Sequence, residues 1–346
     1  MTKPIIVSAV HIIGLDIAKT SFSAHGFDAE GRTVLRKELQ RRQVLPFFAG
    51  LGACRAGIEA CASAHHWGRE IAKLGHEVKL IAPSRVKAFL PRQKNDAADA
   101  MAIARAVRDP EMRFVPVKTV AQQSVLMLFK ARDLLVAQRT MIINALRGHF
   151  AEIGIVAPQG PRHVKPLIAQ VLREEEPLPP VMRAAMKPLV AIYAALEDEI
   201  AALNGSIATA HKADEQAKRL AEVPGIGILT ATVLSASVTE PGSFKSGREF
   251  AAFLGLVPRQ HSTGGKPRLG AISKMGNRDL RRLLVVGAIA ALARLKNGKS
   301  KTATACWARG LLARKPFRLA AVALANKMAR IAWAIMAKGT VYTPAA

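Results

Sequence analysis

Acidic residues are scarce in this 346-residue chain, and beyond Glu249 only Asp279 carries a negative side chain. Lys and Arg number 51 against 25 Asp and Glu, a formal net charge of +26. Such an imbalance repels other copies of the chain and attracts polyanions, which makes nucleic acid the default partner. Cysteine is rare as well: Cys54, Cys61 and Cys306 form no CxxC pair. That excludes a disulfide framework and fits a reducing, cytoplasmic compartment. The only two tyrosines are Tyr193, at a heptad core position, and Tyr342, near the end, which argues against tyrosine nucleophile chemistry. Aromatic residues make up 5% of the chain, so extensive base stacking is not expected. Long apolar runs are also missing. The Ala-rich stretches 283–293 and 319–325 are interrupted by Lys and Arg well short of the roughly 20 residues a bilayer crossing needs, so no membrane partner is expected. The opening "MTKPIIVSAVHIIGLD" contains His11, ends in Asp16 and offers no convincing cleavage site, so it reads as a strand rather than a leader.

What is present is enough apolar material, 50% of residues, for two or three compact units. The first, 1–117, reads as α/β. Residues 10–17 form a buried strand, two further strands follow around a turn at Glu30–Gly31, and helices then alternate with the strands "RAGIEA" and "HEVKLIAP". "KNDAADAMAIARAVRD" closes the unit as a helix. The second segment, 118–215, reads as a coiled-coil helical hairpin. Leu128, Leu135 and Ile142 recur every seven residues and continue into Leu146 and Phe150, while Leu189, Tyr193, Leu196, Ile200, Leu203 and Ile207 alternate by four and three. A Pro-rich loop, 158–180, joins the two helices. An ordinary helical bundle core would give the same pattern.

Within 216–346, "AEVPGIGILTATVLSASV" reads as a glycine hairpin between two helices. Gly225 and Gly227 would leave backbone N–H groups at the start of the second helix for a phosphate oxygen, as in a helix-hairpin-helix element; a plain helix connection has the same pattern. Further on, "PRQHSTGGKPRLGAISKMGNRDLRRLL" sets Ser262 beside paired glycines and follows it with Lys266, Arg268, Lys274, Arg278, Arg281 and Arg282. These cations are candidate phosphate contacts or solvated surface residues. His261 is either a proton acceptor for Ser262 or a solvated loop residue.

Four carboxylates stand out. Asp16 interrupts an apolar strand, Glu59 ends another, and Asp96 and Asp99 lie three apart on one helix face. Two strand acids with a helical pair make the arrangement by which an RNase H-like sheet gathers two divalent ions. Mg²⁺ prefers hard oxygen ligands, and two ions can stabilise both the attacking and the leaving oxygen of a phosphodiester. Asp96 alone could equally cap its helix. Cys61 with His65 and His66 lacks a second ligand pair at zinc spacing, and the two histidines read as surface and packing residues.

Together these stretches resemble, over nearly the full length, the DEDD transposases of insertion-sequence family 110, the group that includes the Piv-type DNA invertases. "GLDIAKTSF", "GIEACASAHHW" and "RQKNDAADAMAIA" match the acidic motifs, and "VPGIGILTATVL" and the Ser262 stretch match the two signatures of the C-terminal transposase domain. The resemblance implies a RuvC-like domain over 1–117, a dimerisation region over 118–215 and a mostly helical transposase domain over 216–346. It further implies that Asp16, Glu59, Asp96 and Asp99 bind Mg²⁺, with Mn²⁺ as a substitute, and that Ser262 attacks DNA to leave a transient phosphoserine link. Thr263 also carries a hydroxyl; the primary alcohol of Ser262 is the less hindered. The partners implied are DNA, an element-encoded non-coding guide RNA, and further copies of the chain in a dimer or tetramer built through the coiled coil. Two other readings remain: a metal-dependent nuclease or junction resolvase in which water attacks, and a non-catalytic basic DNA-binding protein.

Overall fold

A computed structural model describes residues 10–90, 96–173, 178–297 and 302–344. The chain divides into two compact units, Met1–Val120 and Ala121–Ala346.

The first unit is built on a sheet of β1 (Ile12–Ile17), β2 (Ser21–Phe27), β3 (Thr33–Gln40), β4 (Arg55–Glu59), β5 (Glu77–Ile81) and β6 (Phe114–Val115), crossed by the helices α1 (Val44–Ala49), α2 (Ala64–Lys73), α3 (Pro83–Val86) and α4 (Asp96–Arg108). The strand order is β3-β2-β1-β4-β5-β6. β1, β2 and β3 form an antiparallel meander, β4 and β5 run parallel to β1, and β6 returns antiparallel beside β5. β6 was not foreseen, because two residues are too few to display a strand period. Both faces of β1 are covered. Ile13 and Leu15 pack with Phe22, Trp67 and Ile71 on one side. Ile12 packs with Ile81, Ile103 and Val107 on the other, where α4 lies.

Two glycines set the height of α4 over the sheet. A Cβ on Gly14 would overlap the Ala100 carbonyl oxygen, and one on Gly57 would overlap the Val107 side chain. Bare backbone at both positions lets the helix approach β1 and β4 closely.

The second unit is helical apart from one hairpin. It contains the long helices α5 (Val120–Ala151) and α7 (Pro180–Lys212), with α6 (Lys165–Leu172) between them. There follow α8 (Glu215–Ala221), α9 (Ile228–Ser237), α10 (Gly247–Phe253), the strands β7 (Pro258–Gln260) and β8 (Leu269–Ile272), and α11 (Arg278–Asn297), α12 (Ala303–Leu312) and α13 (Phe317–Lys338). The stretch expected to be a Pro-rich loop, 158–180, therefore carries a helix. Two of its prolines open helical turns instead of breaking them: Pro161 starts a short 3₁₀ turn and Pro166 sits in the first turn of α6, where a missing N–H costs nothing.

α5 and α7 run antiparallel, and polar pairs cross between them. Arg139 pairs with Glu197 at 2.5 Å, and Arg132 Nε donates to Asn204 Oδ1 at 2.5 Å. The buried positions of α5 are Phe129, Ile143, Leu146 and Phe150. They continue the four-three spacing through Arg132, Val136 and Arg139, one residue away from the expected Leu128, Leu135 and Ile142, which are half-buried. The apolar repeat misled by one position because two arginines occupy the seam. On α7 the buried set is Met186, Val190, Tyr193, Leu196, Ile200 and Ile207.

α13 is long and apolar enough to cross a membrane by length and composition. Its Ala320, Ala321, Leu324, Ala325, Met328 and Ala329 are buried in the core of the second unit.

Candidate active site

The acids of the first unit are gathered by strand alternation and one helix. Because side chains alternate across a strand, Asp16 shares its face of β1 with Gly14, and Glu59 shares its face of β4 with Gly57. Both glycines lie under α4, so both acids belong to the α4 face. The parallel register Gly14↔Gly57 and Leu15↔Ile58 makes Asp16 and Glu59 neighbours at the C-terminal end of the two strands. Asp99 lies on α4, one turn after Asp96; Asp96 begins the helix, and its side chain lies outside the described residues.

Electrostatics links Glu59 to its neighbours. Burial, and then the negative charge of Asp99, push the Glu59 carboxyl above the usual carboxylate range, against the opposing pull of Lys87. Burial raises the Cys61 thiol too, followed by the charges of Glu59 and Asp16. Glu59 thus feels Asp99, while Cys61, in the bend just past β4 with its N–H on the Glu59 carbonyl at 2.8 Å, feels both Glu59 and Asp16. Among the described residues no group of three or more His, Cys, Asp or Glu side chains stands in metal-holding geometry. The donor set nevertheless has the chemistry a hard divalent ion requires: carboxylate oxygens of one sign brought to the ends of β1 and β4 and to α4.

His65 and His66 are not part of this group. His65 Nδ1 accepts the Lys118 backbone N–H at 3.1 Å, and the His66 ring stands edge-on to Trp67 at 5.3 Å between centroids.

In the second unit, Ser262 sits at the shoulder of an exposed hairpin. Thr263 and Lys266 close the turn, and Gly264 and Gly265 hold φ of +55° and +76°. Two successive residues at positive φ twist a tight turn to match right-handed strands, which is what paired glycines allow. Ser262 Oγ accepts hydrogen bonds from Gln260 Nε2 at 2.9 Å and from the Arg268 backbone N–H at 3.4 Å. His261 turns the other way, its ring over Gly270, so alternation sets it off the face that presents the serine.

The root of the hairpin is clamped. A Cβ on Gly255 would overlap Met275 backbone and one on Gly276 the Phe253 carbonyl. Arg281 Nη1 donates to the Leu254 carbonyl at 2.9 Å and the Met275 carbonyl at 2.7 Å. Asn277 Oδ1 accepts the Asp279 and Leu280 N–H groups and caps α11.

The candidate cations divide accordingly. Lys266, Arg268, Lys274 and Arg278 are exposed. Arg281 is engaged with backbone, and Arg282 pairs with Asp133 at 2.6 Å. The glycine turn between α8 and α9 is also divided. Gly225, at φ +95°, packs against Gly287 and Met328, whereas Gly227 is the exposed N-cap of α9 with nothing within 4 Å of a Cβ position.

Comparisons with known proteins agree with both halves. Residues 13–155, which span all four acids, match the family model described as a transposase of the DEDD IS110 type. Residues 217–304, which span the glycine turn and the hairpin, match the model described as transposase, IS116/IS110/IS902 family. A Sinorhizobium fredii protein named as a transposase is 44% identical over 347 residues, covering 99% of this chain and 88% of its own. The transposase for insertion sequence element IS1328 of Yersinia enterocolitica is 40% identical over 96% of this chain and 99% of its own. That for IS1111A of Coxiella burnetii is 38% identical over 96% and 91%. With acids, hairpin and full-length likeness in agreement, the chain belongs to the IS110/IS116/IS902 family of insertion-sequence transposases, enzymes that act on DNA.

Proposed function

We propose that the protein cuts and rejoins DNA through Ser262, assisted by divalent metal held by Asp16, Glu59, Asp96 and Asp99. The observation that carries this reading is the convergence of Asp16, Glu59 and Asp99 on one face of the sheet, at the C-terminal ends of β1 and β4. The strand order of β1 to β5, 3-2-1-4-5, supports an RNase H-like, RuvC-type domain. Mg²⁺, as two ions, suits the all-oxygen ligand set, with Mn²⁺ as a substitute; when bound, such ions supply positive charge for the attacking and leaving oxygens of a phosphodiester.

Ser262 Oγ forms a bond to phosphorus, the bond from phosphorus to the leaving sugar oxygen breaks, and the serine proton ends on that oxygen. A phosphoserine link results, and a sugar hydroxyl reverses it, so the strand is resealed without ATP. The hydrogen bonds from Gln260 and the Arg268 backbone fix the Oγ orientation while leaving its own proton to be given away. The exposed Lys266, Arg268, Lys274 and Arg278, with the Gly227 turn, hold backbones. An element-encoded guide RNA supplies sequence choice by base pairing. The α5–α7 pair serves as the coiled coil of a dimer or tetramer, and the protein works in the cytoplasm, at the nucleoid.

Ser262→Ala should abolish strand exchange and the covalent protein–DNA adduct while leaving DNA binding within about twofold. Strand exchange surviving in Ser262→Ala and lost in Asp16→Asn would favour a nuclease in which water attacks.

A further inference from the structure

Of the three tryptophans, Trp67 is buried and Trp333 donates its indole N–H to the Pro241 carbonyl at 3.0 Å. Trp307, on α12, is 37% exposed. It forms one wall of a groove of about 770 Å³ whose other walls include Leu319, Lys327 and Arg330 of α13 and, from the hairpin, Pro258 and Ile272. The Lys327 ammonium stands 4.8 Å from the Trp307 ring centroid. No carboxylate lines the groove, and among the described residues neither Lys327 nor Arg330 is ion-paired. Asn326 also lines it, tied by its Nδ2 to the Leu256 carbonyl at 3.2 Å.

We propose that this groove is a subsite for single-stranded DNA, in which an unpaired base stacks on Trp307 while Lys327 and Arg330 hold the flanking phosphates. Three observations select that occupant. The charge in the groove is of one sign and is balanced by no acid, which suits a polyanion and not an apolar helix. The indole, with the Lys327 ammonium over its ring, stands in one groove with Leu319, Pro258 and Ile272, and a base can reach it once Lys327 turns from the ring to a phosphate; only an unpaired base can present its ring face there, since in a duplex that face is covered by its neighbours. The volume lies in the range of a small-ligand pocket and is far too small for a duplex.

DNA rather than RNA is the occupant because of place. Pro258 and Ile272 are the first cross-strand pair of the hairpin that carries Ser262. From Pro258 to Ser262 is four residues, about 13 Å of extended chain. A strand lying in the groove therefore continues toward whatever DNA the hairpin tip meets. This proposal rests on DNA being the substrate, which the family shows, and not on Ser262 being the attacking group.

The test is a titration of the full-length protein with short oligothymidylate, oligouridylate and a DNA duplex, without divalent metal. Trp307→Ala should weaken oligothymidylate binding roughly 5- to 150-fold, the loss of one base–aromatic stack, and duplex binding by less than about twofold. Trp307→Phe should retain most of the affinity, because a smaller ring still stacks. Lys327→Gln should flatten the salt dependence of oligothymidylate binding by about 0.7 in slope, one phosphate contact. Wild-type affinity in Trp307→Ala, or equal losses on duplex and single strand, overturns the subsite. A loss confined to oligouridylate overturns the assignment to DNA. If Trp307→Ala fails to fold, the Lys327→Gln and Arg330→Gln pair decides, and an unchanged slope overturns the proposal. The readout is binding without divalent metal and involves no strand cleavage, so an error in the serine assignment leaves this result intact.

Discussion

At the scale of single residues, burial gives two histidines a role that neither metal nor catalysis requires. Burial, with the charges of Lys118 and Arg69, holds His65 down to about 4. Burial, with Arg36 and Arg105, brings His25 to about 4 as well, beside Thr33 Oγ1 at 3.1 Å. Both rings are neutral in the folded protein at pH 5, whereas in the unfolded chain they titrate near 6.5. The unfolded state then binds more protons, so stability is complete above about pH 6.5 and is lost as pH falls toward 4. Proton uptake on unfolding, measured by calorimetry at pH 5 in buffers of different ionisation enthalpy, should drop by about one in His65→Asn, which keeps an acceptor for the Lys118 N–H. An unchanged uptake would mean that His65 is charged in the fold. The sequence offered His65 as a packing residue, but its partner, 53 positions away, was invisible until α2 and the chain after β6 came together.

At the scale of elements, the site depends on how closely α4 lies on the sheet. Gly14 and Gly57 carry no chemistry, yet each sits two residues before an acid on the same strand face. Gly14→Ala would drive a methyl group into the Ala100 carbonyl and lift the helix that carries Asp99. The expected result is a loss of about 1–3 kcal/mol of stability, from overpacking, together with a loss of strand transfer. Thermal melting and a strand-transfer assay on the same preparation would check this; wild-type values in both would show that α4 adjusts freely. Alternation in "GLDI" and "GIEA" placed the acids on strands from sequence alone. Their sharing of a face with α4 required the parallel register between strands more than forty residues apart, which no local pattern encodes.

The same limit explains the helical region. The heptad of α7 was legible because its core positions are apolar, while that of α5 was displaced by one because Arg132 and Arg139 lie in its seam and meet Asn204 and Glu197. A half-buried arginine reads as surface until its partner is known.

At the scale of the whole molecule, +26 predicts strong and salt-sensitive DNA binding, but the cations do not contribute alike. Lys266 and Arg268 are exposed on the hairpin. Arg281 spends its guanidinium on the Leu254 and Met275 carbonyls, with burial and then Arg278 pressing it below its ordinary range. In plots of log affinity against log salt on duplex DNA, Lys266→Gln and Arg268→Gln should each reduce the slope by about 0.9. Arg281→Gln should leave the slope unchanged and instead loosen the hairpin, seen as faster tryptic cleavage within 258–272. A slope change in Arg281→Gln as large as in Arg268→Gln would make it a phosphate contact after all.

The sequence by itself determined the partner class and an α/β unit followed by helices, and it singled out the four acids and the glycine-flanked serine as candidates; it divided the helical part after 215, where the folded chain forms one unit, Ala121–Ala346. Those follow from charge, from periods of two and of three to four residues, and from turn chemistry, all of which act over a few neighbouring positions. Tertiary structure alone decided which cations remain exposed, which glycine of the 224–227 turn is packed and which is open, and that Trp307 meets Lys327 and Arg330 beside the hairpin root. Each of these depends on side chains distant in sequence competing for one space, and only the folded chain says which of them meet.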